Sequence, residues 1–406
     1  MHWPWPYLTT DVAPIPGRIK QRFEDFEVEE LPLYPASGEG THLFVTIEKR
    51  GLSTQDAIRD IARQLGIAPR AIGYAGQKDT QALTRQRLSV EHVDEARARA
   101  LRHGRLRVVG IERHGNKLKL GHLAGNRFAI KIRDLPEERV GDARAILERL
   151  GRSGVPNYFG PQRFGLRGDS WSVGRALLHG DFEEALAVFA GRVSALDRGA
   201  VLKARSLFDA GDFERAAKSW PRGFRDSLRA VGTMARTRDA RRAVMAIDRN
   251  LLRFLVSSYQ SYLFNAVLAE RLPSFDRVLE GDLASKEDNG AIFLVEDVAS
   301  ESPRAERFEI SATGPLFGKR MSATAGEPAR IEAGVLANAG ETPEAFESGP
   351  WQPTGGRRPL RFRIAELEFD TGKDEFGDFA RLRFVLPPGC YATAVLSEIN
   401  KEPPSE

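Results

Sequence analysis

Residues 73–86 read Gly-Tyr-Ala-Gly-Gln-Lys-Asp-Thr-Gln-Ala-Leu-Thr-Arg-Gln. The apolar run Ala71-Ile72-Gly73-Tyr74-Ala75 predicts a short strand, and Gly76 to Gln81 a polar loop leaving it. Asp79 stands in that loop beside Lys78, among amide and hydroxyl side chains. An aspartate, with a reference pKa of about 3.9, is ionised at neutral pH and can serve as nucleophile or base without further activation. A nearby cation would hold it ionised and aimed. The same spacing also fits an ordinary turn aspartate capping a backbone amide, so the surroundings of the loop decide its meaning.

On the N-terminal side, Phe26 and Val28 alternate with acids in Glu24-Asp25-Phe26-Glu27-Val28-Glu29, and Thr41 to Ile47 reads as a second strand. Ser53 or Thr54 caps a helix with the apolar stripe Ala57, Ile58, Ile61, Leu65. On the other side, Leu118 to Arg133 predicts one or two strands broken at Gly121 and Gly125, followed by a helix near Ala143 to Leu150. The character changes at Gly151, where glycine and proline punctuate residues 151–168. Helices dominate beyond, one opening at Asp181 with Glu184 three residues on, and a long one running from Asn250 to Leu272. The Gly-Asp-Phe-Glu segments at 180–183 and 211–214 are two copies, too few for a solenoid, and read as helix starts. After residue 280 the chain reads as loop-rich, and alternating strands return at Leu360 to Ile364 and Leu382 to Leu386. Strands, then helices, then strands predict an α+β (mixed α/β) sheet domain interrupted by an insertion.

The composition excludes several classes. With 41% hydrophobic and 29% charged residues the chain is not disordered as a whole, and 406 residues suit two or three domains. No apolar run approaches the roughly 18 residues that would span a bilayer, and the start, Met-His-Trp-Pro-Trp-Pro, lacks the layout of a secretory signal. One cysteine, Cys390, rules out an internal disulfide and a thiolate zinc cage, so a reducing cytoplasmic setting is expected. Gly314 to Arg320 resembles a P-loop only superficially, because its glycines are too close and Arg320 replaces the hydroxyl residue. No His-x-x-x-His pair and no Gly-x-Ser-x-Gly elbow occurs.

Sixty basic against 56 acidic residues leave a net charge of only +4, yet the distribution is uneven. Residues 102–133 carry Arg102, Arg105, Arg107, Arg113, Lys117, Lys119, Arg127, Lys131 and Arg133 against the single acid Glu112. Such a block can neutralise several phosphates, although it also fits a solvated strand face. Phe128, Ile130 and Ile132 share one face of that strand, with Arg127, Lys131 and Arg133 on the other.

At this point residues 73–86 resemble the catalytic signature of the TruD family of tRNA pseudouridine synthases. Five further motifs follow in family order: Glu24 to Glu30, Gly125-Asn126-Arg127-Phe128, Val155 to Gly165, Tyr259 to Asn265, and Leu386 to Thr393. The resemblance implies a pseudouridine synthase catalytic domain, a mixed and mostly antiparallel sheet with flanking helices, over 1–152 and 359–406. It implies a helix-rich insertion domain over 153–358. The implied reaction isomerises a uridine already in tRNA, by family analogy a D-arm uridine at position 13, with no cofactor and no metal. Asp79 then becomes the nucleophile, attacking either the sugar or the uracil ring, with Lys20 beside it. Phe26, Asn126, Phe128 and Tyr391 match substrate-binding positions; Lys117, Lys119 and Arg127 are expected to meet RNA. The implied partner is tRNA, met by a monomer away from membranes. A non-catalytic RNA-binding or RNA-folding protein on the same scaffold is the alternative. Two features depart from the family pattern: Ser397 stands where an arginine is expected, and the stretch from 188 to 250 looks long.

Overall fold

The computed structural model describes residues 4–348 and 351–401. They divide into two compact units, one made of Thr9–Val155 and Phe362–Lys401, the other of Pro156–Arg361 with the described residues up to Leu8.

The first unit is built on eight strands: β1 (Phe26–Pro32), β2 (His42–Arg50), β3 (Gly73–Tyr74), β4 (Leu83–Glu91), β5 (Leu106–His114), β6 (Leu123–Arg133), β7 (Ala365–Asp374) and β8 (Gly377–Leu386). Their order is β7-β8-β6-β1-β4-β2-β5, with β3 beside β4. β1 runs parallel to β4 and antiparallel to β6, and the remaining pairs are antiparallel. This is the mixed, mostly antiparallel sheet expected of the α+β chain.

Alternation explains the central strands. Phe128, Ile130 and Ile132 are buried on one face of β6, opposite Val28 and Phe26 of β1 and Phe384 and Leu382 of β8. The helix Thr54–Leu65 begins where the Ser53 hydroxyl accepts from the Asp56 amide and ends at Gly66, whose φ of +67° suits glycine. Its stripe Ala57, Ile58, Ile61, Leu65 packs on Leu43, Val45 and Ile47 of β2. Each large side chain removed from water in this way contributes about 1.5–3 kcal/mol.

Several expectations are corrected. The chain does not break at Gly125: β6 runs through it, because a Cβ there would lie 2.4 Å from the Leu386 carbonyl oxygen and only glycine permits that approach. The long helix spans Arg249–Arg271 and is capped by Asp248, whose carboxylate accepts from the amides of Asn250 and Leu251, so Asn250 lies inside it. The region after 280 is structured, with strands Leu283–Lys286, Ile292–Leu294 and Ile310–Leu316 and helices Val298–Glu306 and Gly326–Asn338. Of Leu360 to Ile364 only Arg361–Phe362 is a strand; Gly356–Pro359 before it pairs with Ile310–Leu316, and β7 begins after it at Ala365. The two Gly-Asp-Phe-Glu segments are helix starts, Asp181 accepting from the Glu184 amide and Asp212 from the Arg215 amide. Among the described residues no helix is long and apolar enough to cross a membrane.

Candidate active site

The loop between β3 and β4 carries Asp79, and hydrogen bonds from inside the sheet unit fix its path. Gly73 enters it tightly, since a Cβ would lie 2.4 Å from both the Leu118 carbonyl oxygen and the Ser89 hydroxyl. The Gln86 amide donates to the Gly76 carbonyl at 3.3 Å and accepts from the Thr54 hydroxyl at 2.9 Å. That hydroxyl in turn accepts from the Lys78 backbone amide at 3.0 Å. The Lys78 ammonium turns away from Asp79 to pair with Glu30 at 2.6 Å, both side chains being 3% exposed. Charge neighbours in sequence are therefore not neighbours in function: Lys78 anchors the loop.

Lys20 supplies the cation facing Asp79. Its Nζ lies 3.2 Å from Asp79 Oδ1, and its φ of +54° is one that a non-glycine residue adopts at some cost. Asp79 is 42% exposed and Lys20 12%, so the carboxylate is open to a ligand while its partner is largely sheltered. The Lys20 ammonium also sits 4.5 Å from the centroid of the Phe26 ring, where the ring's negative face favours a cation. Phe26 meets Phe128 edge-on at 6.2 Å, and Phe128 stacks on Phe384 at 5.3 Å. These rings form a floor, 2% exposed at Phe26 and 5% at Phe128, with little free face to offer.

A cavity of about 500 Å³ opens beside this pair, lined by Lys20, Gln21, Arg22, Phe23, Arg50, Gly51, Thr80 and Gln81. Its volume suits a small ligand such as a nucleoside, and three of its side chains are cationic. Thr80 and Gln81 belong to the loop around Asp79 already singled out, whereas Arg22 and Arg50 escape a reading of spacing; the available signal is that Arg22 follows Lys20 by two positions and Arg50 ends β2. Asn126 pairs across the sheet with Glu30 and Leu386, and its Oδ1 is buried without a hydrogen-bond partner. Tyr391, at the start of the helix Ala392–Asn400, is 52% exposed and has the freest ring of the candidate set. In the same helix Ser397 is buried and donates to the Ala394 carbonyl at 3.0 Å, a role internal to the fold.

The basic candidates fare unequally. Arg127 is held by Glu29 and Glu366, each at 3.1 Å, so its charge is already answered. Lys117 donates to the Arg70 carbonyl at 2.7 Å. Lys119 is exposed and has no ion-pair partner among the described residues.

The family model for TruD, tRNA pseudouridine synthase D, matches residues 5–399. The tRNA pseudouridine synthase D of Geobacter sulfurreducens is 44% identical over 401 residues, 98% of this chain and 97% of that one. Its namesake in Syntrophotalea carbinolica is 42% identical over 97% of this chain and 98% of its own. A crystal structure from Methanosarcina mazei that carries the TruD name superposes with a TM-score of 0.86 at 30% identity, covering 98% of this chain and 96% of that one. The chain belongs to the TruD family of tRNA pseudouridine synthases and is an isomerase.

Proposed function

We propose that Asp79 is the nucleophile with which this synthase converts a D-arm uridine of tRNA, at position 13, to pseudouridine. The observation that carries the reading is the Lys20–Asp79 pair, an open carboxylate with a sheltered ammonium 3.2 Å away at the edge of a cationic cavity. The target base leaves its stack at a cost of a few kcal/mol and enters that cavity. Asp79 attacks the sugar carbon or the uracil ring, and the N-glycosidic bond breaks. The freed uracil turns, a bond forms from its C5 to the same sugar carbon, the bond to Asp79 breaks so that the carboxylate is regenerated, the C5 proton leaves to solvent, and N1 gains one. Atoms balance without an external reagent.

The other candidates serve this step. Lys20 holds the Asp79 carboxylate in place through their ion pair. The unpartnered Asn126 oxygen is an acceptor suited to an N–H on a uracil edge. Phe26 and Phe128 form the floor under the reacting groups, and the exposed Tyr391 ring offers a face for a base. The unit of Thr9–Val155 and Phe362–Lys401 is the catalytic domain, and Pro156–Arg361 the insertion.

The test is release of tritium from 5-tritiated uridine in a tRNA transcript. The wild type is expected to release it, and Asp79→Asn to release none while binding the transcript with affinity within about threefold. Equal release by both proteins would overturn the role of Asp79.

A further inference from the structure

Lys49 ends the buried run of β2 and is 1% exposed. Its Nζ donates to the Leu52 carbonyl at 2.6 Å and to the main-chain carbonyl of Asp79 at 3.1 Å. No carboxylate lies within ion-pair distance of it among the described residues. The charges that act on it are Asp79 and the repelling Lys78, which is paired with Glu30; Lys20 pairs with the Asp79 carboxylate. Burying an ammonium on two carbonyl oxygens alone is unfavourable, and an apolar chain of the same length would fill the space without that penalty. The charge therefore has a use other than packing, and the group it grips is the backbone of the residue read above as the nucleophile.

We propose that Lys49 is a positioning residue for the isomerisation: by holding the Asp79 carbonyl it fixes the peptide on which the carboxylate turns, so that the carboxylate faces Lys20 and the target nucleotide. The inference rests on the nucleophile reading of Asp79. It gives the loop three anchors, at Gly76, Lys78 and Asp79, of which the last lies on the reacting residue itself. A charged donor on a carbonyl makes a shorter and stronger hydrogen bond than a neutral amine, so the grip depends on the proton.

Burial pushes Lys49 down from its ordinary 10.5 to about 8, partly opposed by Asp79 and reinforced by Lys78. The grip is thus lost just above neutral pH. The unfolded chain binds the extra proton between 8 and 10.5, so this group adds stability as pH rises through that window. A fall in rate caused by Lys49 is consequently a loss of positioning in a folded enzyme.

The experiment measures single-turnover tritium release, tRNA affinity and melting temperature from pH 6 to 9.5 for the wild type, Lys49→Met and Asp79→Asn. The wild-type rate is expected to fall with a midpoint near 8. Lys49→Met is expected to bind tRNA within about twofold of wild type, to react at least about tenfold more slowly at pH 7, and to lose that alkaline fall. A folded Lys49→Met with a rate within twofold of wild type, or with the same alkaline fall, overturns the proposal. A wild-type profile flat from pH 7 to 9 overturns it whether or not the variant folds. If Asp79→Asn stays active, the nucleophile reading has failed; if it is inert while Lys49→Met matches wild type, only the role of Lys49 has.

Discussion

Residues 102–133 and 222–253 each hold nine lysines and arginines, with one acid in the first window and three in the second. The first looks the stronger RNA-binding candidate by sign alone, yet eight of its nine cations are engaged within the protein. Arg107 pairs with Glu48, Arg127 with Glu29 and Glu366, Lys131 with Asp374, and Arg133 with Asp25 and Asp374. Arg102, Arg105, Arg113 and Lys117 donate to backbone carbonyls. In the second window Arg222, Arg225, Arg249 and Arg253 are exposed and make no ion pair among the described residues. Arg225 and Arg249 flank a junction where the Asp248 amide donates to Asp226 Oδ1 at 2.9 Å. The half-exposed Phe224 stands next to Arg225, and the exposed Phe254 next to Arg253. Acids remote in sequence answer the charge of a strand, whereas in the second window Arg229 and Arg242 pair locally with Asp226 and Asp239 and Arg222, Arg225, Arg249 and Arg253 are left facing water.

The largest effect should come from the interior of the first window. Arg133 makes two hydrogen bonds to the fully buried Asp25, so Arg133→Leu leaves that carboxylate unpaired and should destabilise the fold by about 3–5 kcal/mol in chemical denaturation. A loss under about 1 kcal/mol would show that this cation is free to serve RNA. Next, replacing Arg222, Arg225, Arg249 and Arg253 together with glutamine should weaken tRNA binding about tenfold or more. It should also lower the slope of log affinity against log salt by about three, with the rate at saturating tRNA within twofold of wild type. An unchanged slope would move the RNA contact elsewhere. The smallest effect belongs to Lys119→Gln, expected to change affinity by less than about twofold and the slope by no more than about one. A larger change there than in the fourfold variant would reverse the comparison.

The same contrast shows what a sequence can and cannot display. β6 and β8 were legible because apolar side chains alternate and the alternate face is buried. The helix Thr54–Leu65 announced itself by its stripe and its serine cap. β4 was not, because Thr84 and Gln86 occupy its buried face and are 0% and 1% exposed, Gln86 serving the Asp79 loop, so apolar periodicity fails where the candidate site is built. Asp79 could be read from its loop, but not its partners: Lys20 is 59 residues away in sequence, and Lys49 looks like one more strand-end charge. Arg127 read as an RNA contact because its partner Glu366 lies 239 residues further on. Tertiary pairing decides which charges are spoken for, and local pattern carries none of that information.

The most direct test of the account is a nucleotide-resolution map of pseudouridine in tRNA from cells lacking the enzyme, treated with wild type or Asp79→Asn. The account predicts a new pseudouridine at one D-arm uridine with the wild type and none with the variant. Conversion by Asp79→Asn, or conversion by the wild type only outside the D-arm, would contradict it.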